Sequence, residues 1–317
     1  MHTEASQSHA SDSVCPDKTS VGWIGAGVMG HSMAKRILDA GYEVHVTSRT
    51  PSKCDSLVHA GAHRLEAAND LTNRCDVIFS IVGTPDDVRD IYLSDRGLLA
   101  NCRPGQIFVD MTTSSPSLAK ELAAVALSRE AVMLDAPVSG GDIGAQSGAL
   151  SIMIGGDADA VNSLEPLWKC MGQTIVHQGA AGMGQHTKMV NQTLIASTMI
   201  GVCEALLYAE RAGLDVESVL QSVSKGAAGS VALSVLAPRI LKGDFDPGFF
   251  VEHFIKDMGI VLQEATAMNL CLPGIAQARQ LYQALAAQGH ARLGTQSLII
   301  ALAKLNAIDR VGEVQFD

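Results

Sequence analysis

The chain has 317 residues and a formal net charge of −10, with 23 Lys and Arg against 33 Asp and Glu. That length exceeds what one average core serves and points to two domains, while an acidic balance with no offsetting Lys/Arg block excludes nucleic acid as a general partner. Seven widely spaced cysteines without a C-x-x-C pair form neither a disulfide framework nor a zinc site. They fit a reducing compartment, so a cytoplasmic location is expected. Residues 1–20 are polar, rich in Ser, His and Asp, and are expected to form a disordered tail without a secretory or transit-peptide pattern.

From residue 21 to about 179 short apolar runs alternate with helical segments. Strands are expected over 21–24, 43–47, 76–82, 106–110, 132–135, 150–154 and 174–177. Most lack a clean in–out alternation, as strands buried on both faces of a parallel sheet do. Helices are expected at 31–40, 51–60, 85–92, 116–127 and 158–171, several opened by a Ser/Thr/Asp cap or an N-terminal proline. The pattern over 21–182 is a doubly wound, Rossmann-type α/β domain with a parallel sheet. After the linker 179–184 the period changes to helices only, near 185–212, 216–224, 230–241, 251–268, 275–288 and 298–305, so 183–317 reads as a second, all-helical domain. The apolar stretch 193–209 is interrupted by Glu204 and preceded by Lys188, Asn191 and Gln192; a buried helix explains it better than a membrane span.

The first strand runs into Gly25-Ala26-Gly27-Val28-Met29-Gly30 and then a helix. In a G-x-G-x-x-G turn the first glycine permits the bend, the second lets backbone approach a pyrophosphate, and the third lets helix pack on strand. Phosphates then sit at the helix N-terminus, where unpaired N–H groups and the dipole favour negative charge. Thirty glycines make such a turn weak evidence alone, but strand, turn, helix and strand within one βαβ crossover make dinucleotide binding the expectation. The second strand ends in Ser48-Arg49-Thr50 with Lys53 one turn on, and its nearest acid, Glu43, lies at its start. A carboxylate at Ser48 would grip a ribose 2′-hydroxyl and repel a 2′-phosphate, whereas Arg49 can pair with that phosphate. NADP(H) is therefore expected, with NAD(H) the alternative.

The helical domain opens with Lys188, Asn191 and Gln192 at i, i+3 and i+4, on one face of a largely apolar helix. Polar groups buried there need partners, and a wet cleft is one. A lysine whose pKa falls toward neutrality can act as general acid/base beside a departing hydride. A lysine held by a carboxylate partner is the alternative, and spacing does not choose between them. His59 and His63 have a metal-ligand spacing, but Gly61 lies between them and no third ligand is evident, so no metal is expected. His253 falls on the helical face of Phe249 and Asp257.

Taken together, the glycine turn, Asp110-Met-Thr-Thr113-Ser-Ser-Pro116, Asp135-Ala-Pro-Val-Ser-Gly-Gly141, Gly182-x-Gly-x-x-x-Lys188-x-x-Asn-Gln192 and Ile255-Lys256-Asp257 resemble the successive signatures of the β-hydroxyacid dehydrogenases, over about residues 21–305. The family includes 3-hydroxyisobutyrate dehydrogenase and the semialdehyde reductases and is related to 6-phosphogluconate dehydrogenase. The resemblance implies a 6-phosphogluconate dehydrogenase-like helical domain and an NAD(P)-dependent oxidoreductase with Lys188 as its catalytic lysine. It further implies that Ser139, Gly140 and Gly141 hold a substrate carboxylate, that Asn191 binds substrate or orients the lysine, and that Thr113 contacts both cofactor and substrate. By the same likeness Val82 and Gly83 cover the adenosine, Lys256 binds cofactor, Asp257 follows it in the substrate site, and Phe249 is a pocket wall. Gln192 stands where many members have a second asparagine. The implied substrate is a small carboxylate-bearing aldehyde or alcohol, because no Lys/Arg cluster adjoins the Ser-Gly-Gly loop to favour a sugar phosphate. Reduction of glyoxylate or succinic semialdehyde leads, with 3-hydroxyisobutyrate oxidation second. A homodimer or homotetramer joined through the helical domain is expected, with no membrane or nucleic-acid partner. A non-catalytic dinucleotide-binding protein is the competing class; the presence of Lys188, Asn191 and Ser139 together argues against it.

Overall fold

The computed structural model describes residues 14–311 and 314–315, so residues 1–13 of the expected tail lie outside it. Residues 14–19, also expected in the tail, form a turn in which Lys18 N and Thr19 N donate to Cys15 O, and Val14 packs against the core of the first unit. The chain divides into two compact units, the first ending at Gln185 and the second beginning at His186, with Thr113–Ser115 grouped with the second.

The first unit contains, in chain order, β1 (Ser20–Ile24), α1 (Val28–Asp39), β2 (Glu43–Thr47), α2 (Asp55–His59), β3 (His63–Arg64), β4 (Val77–Ser80), α3 (Pro85–Leu93), β5 (Ile107–Asp110), α4 (Pro116–Leu127), β6 (Val132–Asp135), β7 (Val138–Ser139), α5 (Gly141–Ser147), β8 (Leu150–Gly155), α6 (Ala158–Ser163), α7 (Glu165–Met171) and β9 (Gly172–Gly179). The sheet order is β3-β2-β1-β4-β5-β6-β8-β7, with β9 beside β8. From β3 to β6 every pairing is parallel. Beyond β6 the sheet is mixed, because β8 runs antiparallel to both β6 and β7. Six of the expected strands are buried as anticipated, and the inner strands β1 and β4 contribute to a core on each face, one with Met33 and Ile37 of α1 and the other with Val88 of α3 and Leu118 of α4. In the first, Trp23 stacks on Phe79 at 5.5 Å, and Phe79 meets Trp168 edge-on at 5.7 Å.

Two expected helices are divided. The segment 51–60 is a 3-10 turn over Pro51–Cys54 followed by α2. The segment 158–171 breaks at Leu164, because Pro166 has no N–H to continue the ladder and instead opens α7. Three elements of this unit carry too little pattern to be read from sequence, the two-residue β3 and β7 and the glycine-rich α5.

The second unit is built on α8 (Met183–Arg211), whose first three residues belong to the first, then α9 (Val216–Val223), α10 (Ala237–Leu241), α11 (Val251–Ala267), α12 (Pro273–Leu285) and α13 (Leu298–Leu305). A wide π turn, Ala232–Leu236, precedes α10, and Pro238, which cannot donate to Ser234, accounts for the change of pitch. The expectation of helices alone is corrected by a terminal antiparallel pair, β10 (Arg310–Val311) and β11 (Val314–Gln315). By length and composition α8 could cross a membrane. One of its faces, Met189, Ala196, Met199, Cys203 and Leu206, is packed into a core with Phe254, Met258 and Tyr282. The expectation of a buried helix holds for that face only, since Val190, Leu194 and Tyr208 are 62%, 65% and 75% exposed.

Candidate functional site

Strand register sets the candidate residues of the first unit. Ile24 pairs with Thr47 on one side and Ser80 on the other, Ser80 with Asp110, and Asp110 with Asp135, so five parallel strands end in line. Because β1 is central and the chain order reverses beside it, the loops after β1 and β4 flank the topological switch point where doubly wound sheets take their ligands.

The glycine turn occupies that point, and each glycine has a separate reason. Gly25 has φ +99°, and a Cβ there would collide with the Ile81 carbonyl oxygen. A Cβ on Gly30 would strike the Gly25 carbonyl oxygen as α1 packs on the strand, whereas one on Gly27 would meet nothing within 4 Å. Gly27 is the N-cap of α1 with no side-chain cap, and the first turn holds no acid. Open space at the second glycine, facing bare N–H groups, fits a dinucleotide pyrophosphate. Ala26, Val28 and Met29 complete the turn, with Val28 exposed.

Ser48, Arg49 and Thr50 follow β2, and Val82 and Gly83 follow β4. Val82 N donates to Thr112 Oγ1 at 2.9 Å. Arg49 is not a lone surface cation: its guanidinium Nη1 donates to Asp87 Oδ1 at 2.6 Å. Beneath these loops lies a buried polar cluster in which Asp110 Oδ1 accepts from Ser80 Oγ at 3.0 Å and Thr112 N at 3.1 Å, with the Tyr92 hydroxyl 2.9 Å from Ser80 Oγ. Burial pushes the Asp110 carboxyl up to about 6, against the opposing pull of its Thr112 and Ser80 hydrogen bonds. Asp135, one strand over, accepts from Gly182 N at 2.7 Å and Gln185 N at 2.8 Å, capping the start of α8. Ser139 ends β7 opposite Ser151, and Gly140 and Gly141, both at positive φ, carry the chain into α5.

The second unit holds the lysine. Lys188 is 7% exposed, and its amine is pushed down to about 8, chiefly by burial; Asp257 opposes that shift and Lys256 adds to it. Asp257, buried on α11, accepts from the Gln192 amide at 2.6 Å on Oδ2, and its Oδ1 forms an ion pair with the Lys256 ammonium 3.0 Å away. Lys256 also donates to the Thr113 carbonyl at 2.5 Å, and Asn191 donates to Gln192 Oε1 at 2.7 Å. Thr113, Lys256, Asp257, Gln192 and Asn191 are thus one connected chain. The two readings of the lysine left open by spacing are not exclusive, since Lys188 lies in the field of Asp257 and is still depressed. Phe249 stands apart from this chain, stacked on His253 at 6.5 Å and edge-on to Phe254 at 5.7 Å. Burial, with Lys256 next, holds the His253 imidazole below its ordinary range.

Sequence reasoning missed Asp87, which carries no motif, and undervalued Gln192, whose i+4 spacing from Lys188 was the available signal. His59 Nδ1 faces its own helix carbonyl, Asp55 O, at 2.7 Å, and His63 lies on β3 with its ring 5.2 Å from His45. Among the described residues no group of three His, Cys, Asp or Glu side chains is placed to hold a metal.

Residues 20–179 match the family model described as the NAD binding domain of 6-phosphogluconate dehydrogenase, and residues 182–302 match that described as the NAD-binding domain of NADP-dependent 3-hydroxyisobutyrate dehydrogenase. The chain belongs to the β-hydroxyacid dehydrogenase family. Among its relatives in that family, the probable 3-hydroxyisobutyrate dehydrogenase-like 1 of Arabidopsis thaliana is 49% identical, covering 96% of this chain and 91% of its own. The 2-hydroxy-3-oxopropionate reductase of Escherichia coli is 38% identical, covering 89% and 96%. The solved structure of Mycobacterium tuberculosis 3-hydroxyisobutyrate dehydrogenase with L-serine superposes with a TM-score of 0.83 at 30% identity, over 90% of this chain and 99% of that one. As a β-hydroxyacid dehydrogenase the protein is an NAD(P)-dependent oxidoreductase with a Rossmann-like sheet and a helical C-terminal domain.

Proposed function

We propose that this β-hydroxyacid dehydrogenase reduces a short carboxylate-bearing aldehyde with NADPH, with Lys188 as the proton donor. When bound, the nicotinamide supplies the hydride. Lys188 delivers its proton to the carbonyl oxygen as the hydroxyl forms, and takes it back in oxidation. The Ser139 hydroxyl and the Gly140 and Gly141 N–H groups hold the substrate carboxylate, which fixes the distance from carboxylate to reacting carbon and so selects short acids. Thr113 and Asn191 contact substrate, and Asp257 and Phe249 bound it, while Lys256 secures the Thr113 segment and the cofactor. Gly25–Gly30 receive the pyrophosphate, Ser48, Arg49 and Thr50 the 2′-phosphate, and Val82 and Gly83 the adenosine.

The observation that carries this reading is the buried Lys188, held near pKa 8 beside Asp257. A general acid/base works best with a pKa near the working pH, and a buried amine brought down toward that range suits the role. NADP(H) is supported by Arg49 and by the absence of an acid at the end of β2. Glyoxylate and succinic semialdehyde lead as substrates; 3-hydroxyisobutyrate is the second reading, favoured by the name of the 49% identical relative. A homodimer is part of the proposal, since Val190, Leu194 and Tyr208 leave an apolar strip on α8 without a cover.

The test is a panel following NADPH and NADH oxidation with glyoxylate, succinic semialdehyde, tartronate semialdehyde and methylmalonate semialdehyde. Turnover with NADPH that collapses in Lys188→Ala supports the reading. Tight NADPH binding without turnover of any of the four overturns this substrate range and points to a substrate outside the panel or to the non-catalytic class.

A further inference from the structure

Arg49, in the loop after β2, and Asp87, in the first turn of the helix after β4, meet beyond the ends of these two strands in the first unit. Arg49 follows β2 and its side chain is 81% exposed; Asp87 is the third residue of α3, with a side chain 19% exposed. The two oxygens of Asp87 have separate duties. Oδ1 receives Arg49 Nη1 at 2.6 Å. Oδ2 receives Thr84 N at 3.0 Å and Thr84 Oγ1 at 2.9 Å, while Asp87 N donates to Thr84 Oγ1 at 3.1 Å, completing a capping box at the start of α3. A Cβ on Gly83 would also lie only 3.0 Å from Oδ2, so the loop is closed tightly over the carboxylate. Asp87 therefore cannot move without surrendering the cap, whereas the exposed guanidinium of Arg49 can turn away by giving up its bond to Oδ1. The result is a fixed negative charge beside the cation that a 2′-phosphate would need.

We propose that Asp87 is a specificity-determining residue for the dinucleotide: it holds Arg49 when no phosphate is present and competes with a 2′-phosphate for that guanidinium. This rests on the reading of Arg49 as the 2′-phosphate partner. With NAD(H), which lacks the phosphate, the pair stays intact and nothing is lost. With NADP(H), Arg49 must leave Asp87 or share its five donors between carboxylate and phosphate, and binding is weakened by that competition. The preference for NADP(H) is thereby smaller than Arg49 alone would produce, and the enzyme retains use of both dinucleotides.

Calorimetric titration of the full chain with NADP+ and with NAD+ at low ionic strength tests this in the wild type, Asp87→Asn, Arg49→Gln and the double variant. Asparagine keeps an acceptor for the Thr84 N–H and removes the charge. The expected result is an NADP+ Kd lowered about three- to tenfold by Asp87→Asn, with the NAD+ Kd changed less than about twofold and the gain absent in the Arg49→Gln background. If Arg49→Gln weakens NADP+ binding while Asp87→Asn leaves it unchanged or weaker, the competition is overturned and the reading of Arg49 stands. Persistence of the gain in the double variant also overturns it, because direct repulsion would then suffice. If Arg49→Gln leaves NADP+ affinity unchanged, it is the reading of Arg49 that fails. Should Asp87→Asn melt below the assay temperature, Asp87→Gln, a natural capping-box residue at that position, takes its place.

Discussion

At neutral pH Lys188 carries its proton against a burial penalty, and that penalty shapes both rate and stability. Its folded-state pKa of about 8 lies below the ordinary 10.5, so the folded protein binds this proton more weakly than the unfolded chain does. The destabilisation is complete below about pH 8 and fades as pH rises toward 10.5. Lys188→Met should therefore raise stability at pH 7 by up to about 3 kcal/mol in urea unfolding, while lowering kcat/KM by about 10²- to 10⁴-fold. The sign of the pH–rate profile follows as well. For reduction, which needs the protonated amine, kcat/KM should be flat below about pH 8 and fall above it; for oxidation it should rise to a plateau above about pH 8. That Lys188 shares a helical face with Gln192 was legible from spacing alone. That Asp257, 65 residues further on, would accept the Gln192 amide was not, because pairing across that separation depends on how α8 and α11 pack.

The elements that position the site are joined by single residues whose replacement gives contrasting outcomes. Gly27→Ala should leave the thermal midpoint near the wild type, since its Cβ enters open space, yet weaken dinucleotide binding at least about tenfold by filling the phosphate path. Gly30→Ala should instead cost stability, about 2–4 kcal/mol, because its Cβ strikes the Gly25 carbonyl oxygen. Asp135→Ala removes the carboxylate that receives Gly182 N and Gln185 N and should cost about 1.5–3 kcal/mol in denaturant unfolding. Element identity was readable wherever the apolar runs were long: the bounds of β2, β6, α4 and α13 match the expected ones. The division of 158–171 at Pro166 and the change of pitch at Pro238 lie below what periodicity resolves, because a proline breaks the backbone ladder without altering the apolar pattern, and the two residues of β3 are too few to show a period.

At the scale of the whole chain, the apolar strip of Val190, Leu194 and Tyr208 on α8 leads to an expectation for assembly. Sedimentation velocity at micromolar concentration should give a dimer, and Val190→Glu with Leu194→Glu should shift it to a monomer without loss of helical circular dichroism; a wild-type monomer would sink the idea. The sequence by itself determined the two-part organisation, the glycine turn and the lysine-bearing helix. Each of these is written in local signals, namely hydrophobic period, glycine spacing and side-chain offset along one helix. Tertiary structure alone decided the mixed far edge of the sheet, the Asp257 carboxylate that joins Gln192 to Lys256, and the Asp87 carboxylate facing Arg49. Each depends on residues distant in sequence, whose meeting is set by strand register and helix packing and leaves no trace in the order of the chain.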